Sequence, residues 1–232
     1  MIRLNSLFLS IALLLCGFCQ AQTSTTPTMN EISYLALGDS YTIGESVPLD
    51  QNWPHQLVRR LRTENIQVSE PQIIAVTGWT TDELQAGIAK ENPQGPFGMV
   101  SLLIGVNNQY RGYKISQYKE EFAALLQQAI DFAGGDKRRV FVVAIPDYGV
   151  TPFGQKKEPE RIDNELRIYN ALAAQHCESL GIPFIDIFEV SKEALNNPVM
   201  SATDNLHPSA KMYSRWVDVI FPEVKKMLEA KE

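Results

Sequence analysis

Cysteine, histidine and cationic charge are all scarce in this sequence. Of its three cysteines, Cys16 and Cys19 lie within the first twenty residues, and only Cys177 falls in the body of the chain. A body with one cysteine forms no internal disulfide, so its fold must rest on an apolar core even in an oxidising compartment. Cys177 sits in a helical pattern and reads as a small packing residue. The three histidines, His55, His176 and His207, are far apart and match none of the zinc-ligand spacings, so neither a metal nor a cofactor is expected. Twenty-one basic residues against twenty-seven acidic ones leave a net charge of -6. Such a chain carries no basic surface for phosphates, which excludes nucleic acid as an expected partner.

Long apolar runs are also missing. The longest, Leu7 to Phe18, is shorter than the roughly 20 residues a membrane-spanning helix needs. It follows Arg3 and precedes the small-residue stretch ending at Ala21, the layout of a cleavable signal peptide over residues 1–21. The bulk of Leu15 and Phe18 argues against lipid attachment at the cysteine that follows each. The polar residues 22–31 read as a flexible linker, and 32–232 as one domain. An exported protein, periplasmic or secreted, with no integral membrane segment after cleavage is the expectation.

What is present is an alternation. Apolar strand candidates at Ile32 to Leu37, Ile73 to Val76, Met99 to Ile104, Val140 to Ala144 and Ile182 to Ile187 are separated by helical patterns. Helices are expected at about Trp53 to Thr63, after a capping box at Thr80 and Glu83, at Ser116 to Phe132 before Gly134-Gly135, and at Glu160 to Leu180 before Gly181. A last one follows Pro208, broken or kinked near Pro222. Nearly continuous apolar strands alternating with helices predict a five-stranded parallel sheet covered on both faces.

In open parallel sheets ligands bind beyond the carboxyl ends of the strands. Gly38-Asp39-Ser40 follows the first strand, Gly78 the second, Gly105-Val106-Asn107 the third, and Asp204-Asn205-Leu206-His207 the fifth. All fall on one edge. A Gly-Asp-Ser alone is ordinary turn chemistry, an isolated Asp-x-x-His is an ordinary helix cap, and a lone asparagine is a common turn residue. Together they supply a serine nucleophile, an imidazole base and a carboxylate to orient it. Donors for a developing oxyanion are the backbone N–H groups of Ser40 and Gly78 and the side-chain amide of Asn107. His55 and His176 lack such a setting and read as structural. Trp79, Tyr110, Tyr113, Tyr148 and Phe153 lie at the same edge, and the loop Pro146 to Pro159 is placed to move over it.

The four blocks, Gly-Asp-Ser-x-x-x-Gly, a glycine after the second strand, Gly-x-Asn after the third and Asp-x-x-His near the end, resemble the SGNH hydrolases, the GDSL esterase and lipase family. That resemblance implies a flavodoxin-like three-layer α/β/α sandwich. It also implies hydrolysis of an ester or thioester through an acyl-enzyme, with Ser40, Asp204 and His207 as triad and Ser40, Gly78 and Asn107 as oxyanion hole. One position departs: the third block commonly ends in aspartate, where this chain has Asn108, so altered loop support or substrate fit is expected. An acyl lipid, as for a lysophospholipase, and an acylated sugar, as for a carbohydrate O-acetyl esterase or O-acyltransferase, both remain open as substrates. A non-catalytic envelope- or carbohydrate-binding module is the remaining alternative.

Overall fold

The computed structural model describes residues 31–230, so the expected signal segment and all of the linker except Glu31 lie outside the described residues. The strands are β1 (Tyr34–Gly38), β2 (Gln72–Ala75), β3 (Met99–Leu103), β4 (Val140–Val143) and β5 (Phe184–Ile185). They form one parallel sheet in the order β2-β1-β3-β4-β5. This is the flavodoxin-like order, in which the chain reverses its direction of travel between β1 and β3. Every residue of β1, β3 and β4 is buried, as their unbroken apolar character requires when helices cover both faces. The expected fifth strand shrinks to two residues because β5 is an edge strand bonded only to β4, although Ile182 and Ile187 are still buried.

The helices are α1 (Ser40–Ile43), α2 (Trp53–Thr63), α3 (Thr81–Glu91), α4 (Val106–Tyr110), α5 (Ile115–Phe132), α6 (Pro159–Leu180), α7 (Phe188–Ser191) and α8 (Ala210–Glu229). The first and last long helices, α2 and α8, pack together, while α3 packs on α5 and α5 on α6. These groups are the outer layers of the sandwich. The capping expectation holds at α3, where the Glu83 carboxylate accepts the Thr80 N–H at 2.9 Å. Gly181 closes α6 with φ of 70°, a left-handed value that glycine adopts without steric cost. Cys177 is fully buried and burial pushes its thiol up to about 12, so it packs rather than reacts.

The break allowed for at Pro222 does not occur, because α8 runs through it as a single helix. The carbonyl that loses its partner belongs to Asp218, which is exposed, as is Pro222, so water can satisfy it. Trp216, Val217, Ile220 and Val224 are buried on either side and hold the helix across the lesion. Among the described residues, no helix is long and apolar enough to cross a membrane. The helical geometry at 222 implies that Pro222→Ala restores one hydrogen bond. It is expected to stabilise the protein by about 1 to 3 kcal/mol, read as a higher urea midpoint with unchanged slope; a lower midpoint would contradict that account.

Candidate active site

Ser40 is the first residue of α1, immediately beyond the end of β1. The turn closes tightly because Gly38 has no side chain: a Cβ there would lie 2.2 Å from Thr42 Oγ1 and 2.6 Å from the Leu103 carbonyl. Asp39 caps the helix, its Oδ1 accepting the Tyr41 N–H at 3.0 Å while its carbonyl accepts those of Thr42 and Ile43. The Ser40 N–H takes part in none of these bonds. Asp39 is fully buried with Oδ2 unpartnered, and burial raises its carboxyl to about 7 despite the bond from Tyr41.

Asp204 and His207 lie on a loop clamped by an antiparallel bridge between Ser201 and Pro208 and by the Ala202 N–H on the His207 carbonyl at 2.7 Å. His207 Nδ1 and Asp204 Oδ2 are 2.6 Å apart, and Asp204 Oδ1 accepts the N–H groups of Leu206 and His207, both at 2.9 Å. Asp204 therefore caps no helix; Ser209 does that for α8. Burial opposes ionisation of Asp204, but the hydrogen bonds from His207, the Leu206 N–H and Ser46 outweigh it and bring the carboxyl down to about 2. The His207 ring is buried and meets Tyr41 edge to face, with centroids 5.8 Å apart.

The oxyanion candidates come from the neighbouring loops. Gly78 is the third residue of a turn closed by the Trp79 N–H on the Val76 carbonyl at 3.2 Å, and its φ of 88° is one that a turn of this kind reserves for glycine. The turn's own bond leaves the Gly78 N–H unused. Arg111, itself paired with Glu83, donates to the Gly78 carbonyl at 2.5 Å and fixes the turn from outside. Asn107 is in α4, which sequence periodicity does not reveal because it is only one turn long. Its Nδ2 donates one proton to the Trp79 carbonyl at 2.9 Å and keeps a second. Trp79 is seated against Gly87, where a Cβ would come within 2.1 Å of the indole.

Ser40, Gly78, Asn107 and His207 line one cleft of about 180 Å³, whose other walls include Val106, Tyr110, Tyr148, Phe153 and Leu206. The loops after β1, β2 and β3 and the loop before α8 thus meet where the sheet changes direction. Of the five aromatics noted in the sequence, Tyr110, Tyr148 and Phe153 reach this cleft. Trp79 instead supports the Gly78 turn, and the Tyr113 carbonyl accepts the Tyr169 hydroxyl at 3.3 Å. The loop expected to swing across the site is folded into two 3-10 turns. It is tied to the loop that carries Asp204 and His207 by the Phe153 N–H on the Asn205 carbonyl at 3.0 Å, and Gly154 packs so closely that a Cβ would lie 1.9 Å from the Tyr148 carbonyl. His55 bonds Asn52 at the start of α2, and His176 packs on Phe122, both away from the cleft.

Asn108 has a definite structural role. It is fully buried, its Oδ1 accepts the Thr81 N–H at 3.1 Å and its Nδ2 donates to Thr81 Oγ1 at 2.6 Å. The Thr81 hydroxyl in turn donates to Glu121. An aspartate at 108 would need the hydroxyl proton for itself, whereas Asn108 leaves that proton to the Glu121 carboxylate on α5.

A buried serine, with an imidazole, a paired carboxylate and converging amide donors at the carboxyl edge of a flavodoxin-like sheet, defines the class of α/β/α serine hydrolases. The model of the GDSL-like lipase/acylhydrolase family matches residues 36–215. The chain belongs to that family and is an ester-hydrolysing enzyme. Among solved structures, TesA superposes with a TM-score of 0.64 at 18% identity over 84% of this chain and 99% of its own. A lipase/acylhydrolase from Enterococcus faecalis gives 0.63 at 18% over 87% and 99%. A single-residue variant of Axe2, an acetyl xylan esterase from Geobacillus stearothermophilus, gives 0.62 at 16% over 83% and 94%. At these identities the likeness is one of fold. No curated protein matches the sequence significantly.

The buried groups make the site's surroundings sensitive to charge and pH. Asn108→Asp sets two carboxylates against one hydroxyl proton and is expected to cost about 1 to 3 kcal/mol in urea unfolding at pH 7. Part of that cost should return in the Asn108→Asp, Glu121→Gln double variant; an additive pair would refute the relay. Asp39 ionises near 4 in the unfolded chain but only at about 7 in the fold. Folding therefore binds a proton between these values, and the Asp39 contribution to stability falls as pH rises from about 4 to about 7. Asp204, lowered from 3.8 to about 2, acts oppositely: its contribution is present above 3.8 and lost as pH falls through 2. Unfolding free energies between pH 4.5 and 7.5 should slope downward in the wild type and lose that component in Asp39→Asn.

Proposed function

We propose that the chain is a serine esterase that cleaves carboxylic esters of short acyl groups, thioesters included, through an acyl-enzyme on Ser40. The observation that carries this reading is the 2.6 Å His207–Asp204 pair, with His207 in the same cleft wall as Ser40, Gly78 and Asn107. In it, Ser40 Oγ attacks the acyl carbonyl while His207 Nε2 takes the hydroxyl proton. Asp204 holds the ring by Nδ1 and stabilises the imidazolium that forms. Negative charge on the carbonyl oxygen is met by the Ser40 and Gly78 N–H groups and the second amide proton of Asn107. Collapse expels the alcohol or thiol, protonated by His207, and water repeats the sequence on the acyl-serine.

Cleft size supports short acyl groups over a lysophospholipid chain. About 180 Å³ is below the roughly 300–1,000 Å³ of pockets that enclose larger ligands. An acetylated sugar is the second reading. It is favoured by the Tyr110 ring, 52% exposed at the mouth of the cleft, which offers a face for a pyranose to stack on; the fold also serves an acetyl xylan esterase. Export to the periplasm or medium completes the proposal, resting on the apolar run near the amino terminus.

Hydrolysis of p-nitrophenyl esters from acetate to palmitate by the wild type and Ser40→Ala tests both parts. Activity is expected to peak at short chains and to fall about 10⁴-fold or more in the variant. Full activity in Ser40→Ala would remove Ser40 as nucleophile, and a maximum at palmitate would overturn the short-acyl assignment.

A further inference from the structure

Ser46 stands two residues beyond the serine block, in a stretch that no motif covers. It follows Gly44 and Glu45, whose N–H groups both return to the Ser40 carbonyl at 3.0 Å, and it belongs to a turn closed by the Val47 N–H on the Gly44 carbonyl at 3.2 Å. Its φ is 65°, a left-handed value that costs a residue with a Cβ and that glycine or asparagine would adopt more readily. The side chain is exposed, so burial does not impose that conformation. What the conformation achieves is a contact across 158 residues of sequence: Ser46 Oγ donates to Asp204 Oδ2 at 2.7 Å. That is the same oxygen that faces His207 Nδ1 at 2.6 Å. Strained backbone of this kind persists where the surrounding structure needs it.

Resting on the triad proposed above, we infer that Ser46 is a positioning residue that locks the Asp204 carboxylate onto His207 and couples the acid-base loop to the nucleophile turn. Asp204 stands at the surface, where its side chain would otherwise rotate and bond water. Two backbone N–H groups hold Oδ1, and Ser46 supplies the matching donor at Oδ2. The carboxylate is then satisfied on both oxygens in the one rotamer that presents Oδ2 to the imidazole. The Ser46 bond is also one of the causes that hold the Asp204 carboxyl low. Because Ser46 follows directly on a turn anchored to the Ser40 carbonyl, a shift of either loop is transmitted to the other.

The test compares Ser46→Gly with Ser46→Ala. Both lose the hydroxyl, but glycine relaxes the backbone and alanine keeps its strain. If the hydroxyl matters, both lower kcat on a short p-nitrophenyl ester by about 10-fold, the order expected for a lost hydrogen bond to a charged group, with KM unchanged. Ser46→Gly should keep the wild-type Tm, which separates the loss from unfolding. Independently of turnover, ¹³C NMR of the Asp204 carboxyl should show its titration midpoint moving up in both variants. Wild-type kcat and an unmoved midpoint in Ser46→Gly would overturn the inference, as would a loss confined to Ser46→Ala, which would assign the effect to the turn. An inactive wild type would instead count against the esterase reading, and the Asp204 midpoint would still decide the role of Ser46.

Discussion

The parallel pairing of β1 with both β2 and β3 is the constraint on which the site depends. Gly38 is in register with Ala75 on one side and Leu103 on the other, so three strands reach their carboxyl ends on one line. The chain leaving each strand must then turn within a few residues of its neighbours. Backbone hydrogen bonding alone therefore brings the Ser40, Gly78 and Asn107 loops together before any side chain is considered. Glycines make the turns possible: Gly38 approaches the Leu103 carbonyl through the space a Cβ would fill, and Gly78 and Gly105 hold positive φ values that favour glycine. The edge strand β5 contributes less to this line. Its loop is accordingly held by other means: the Ser201–Pro208 bridge, the Phe153 N–H and the Ser46 hydroxyl.

Legibility in the sequence tracked how local each physical cause is. The long helices and all five strands read out within a residue or two at each bound that was given, because burial of both sheet faces writes itself as unbroken apolar runs and amphipathic helices as 3.6-residue periods. Helix α2 begins at Trp53 and ends at Thr63, as the pattern indicated. The gathering of Ser40, Gly78, Asn107 and His207 was legible too, since strand order did not need to be known to place all of them after strands. Single-turn helices such as α4 have no period to read. Interactions between distant residues were equally silent: neither Ser46 with Asp204 nor Thr81 with Glu121 leaves a local signature. A positive φ on a serine is likewise invisible to propensity, which counts Ser as an ordinary turn residue.

Pro222 shows the opposite failure, where a local signal for a helix break was overruled. Proline and glycine mark breaks and mobility only when nothing else holds the backbone. At Pro222 a buried apolar face on both sides outweighs one missing hydrogen bond. In the Pro146 to Pro159 loop, Gly149 and Gly154 allow close approach of the backbone. The Gly149 N–H donates to Asp147 at 2.8 Å, and Gln155 returns a bond to the Gly149 carbonyl at 2.8 Å. Tyr148, buried and bonded to Gln109 at 3.0 Å, forms one wall of the cleft.

Asn108 illustrates how a departure from a family pattern is to be weighed. What the position does here is hold the amino end of α3 beside α4, where the Trp79 carbonyl just before α3 accepts the Asn107 side-chain amide. A carboxylate accepts the Thr81 N–H and hydroxyl together. An amide accepts only the first and hands a proton to the second, which obliges the hydroxyl to find another acceptor. Glu121 on α5 is that acceptor, and Gln117 one turn earlier donates to its other oxygen at 2.9 Å. The carboxylate of this cluster thus sits at the partly buried Glu121 and not at the fully buried position 108, where desolvation would cost more. The role of Asn108 is therefore shared among three residues, Asn108, Thr81 and Glu121, and position 108 cannot be weighed alone.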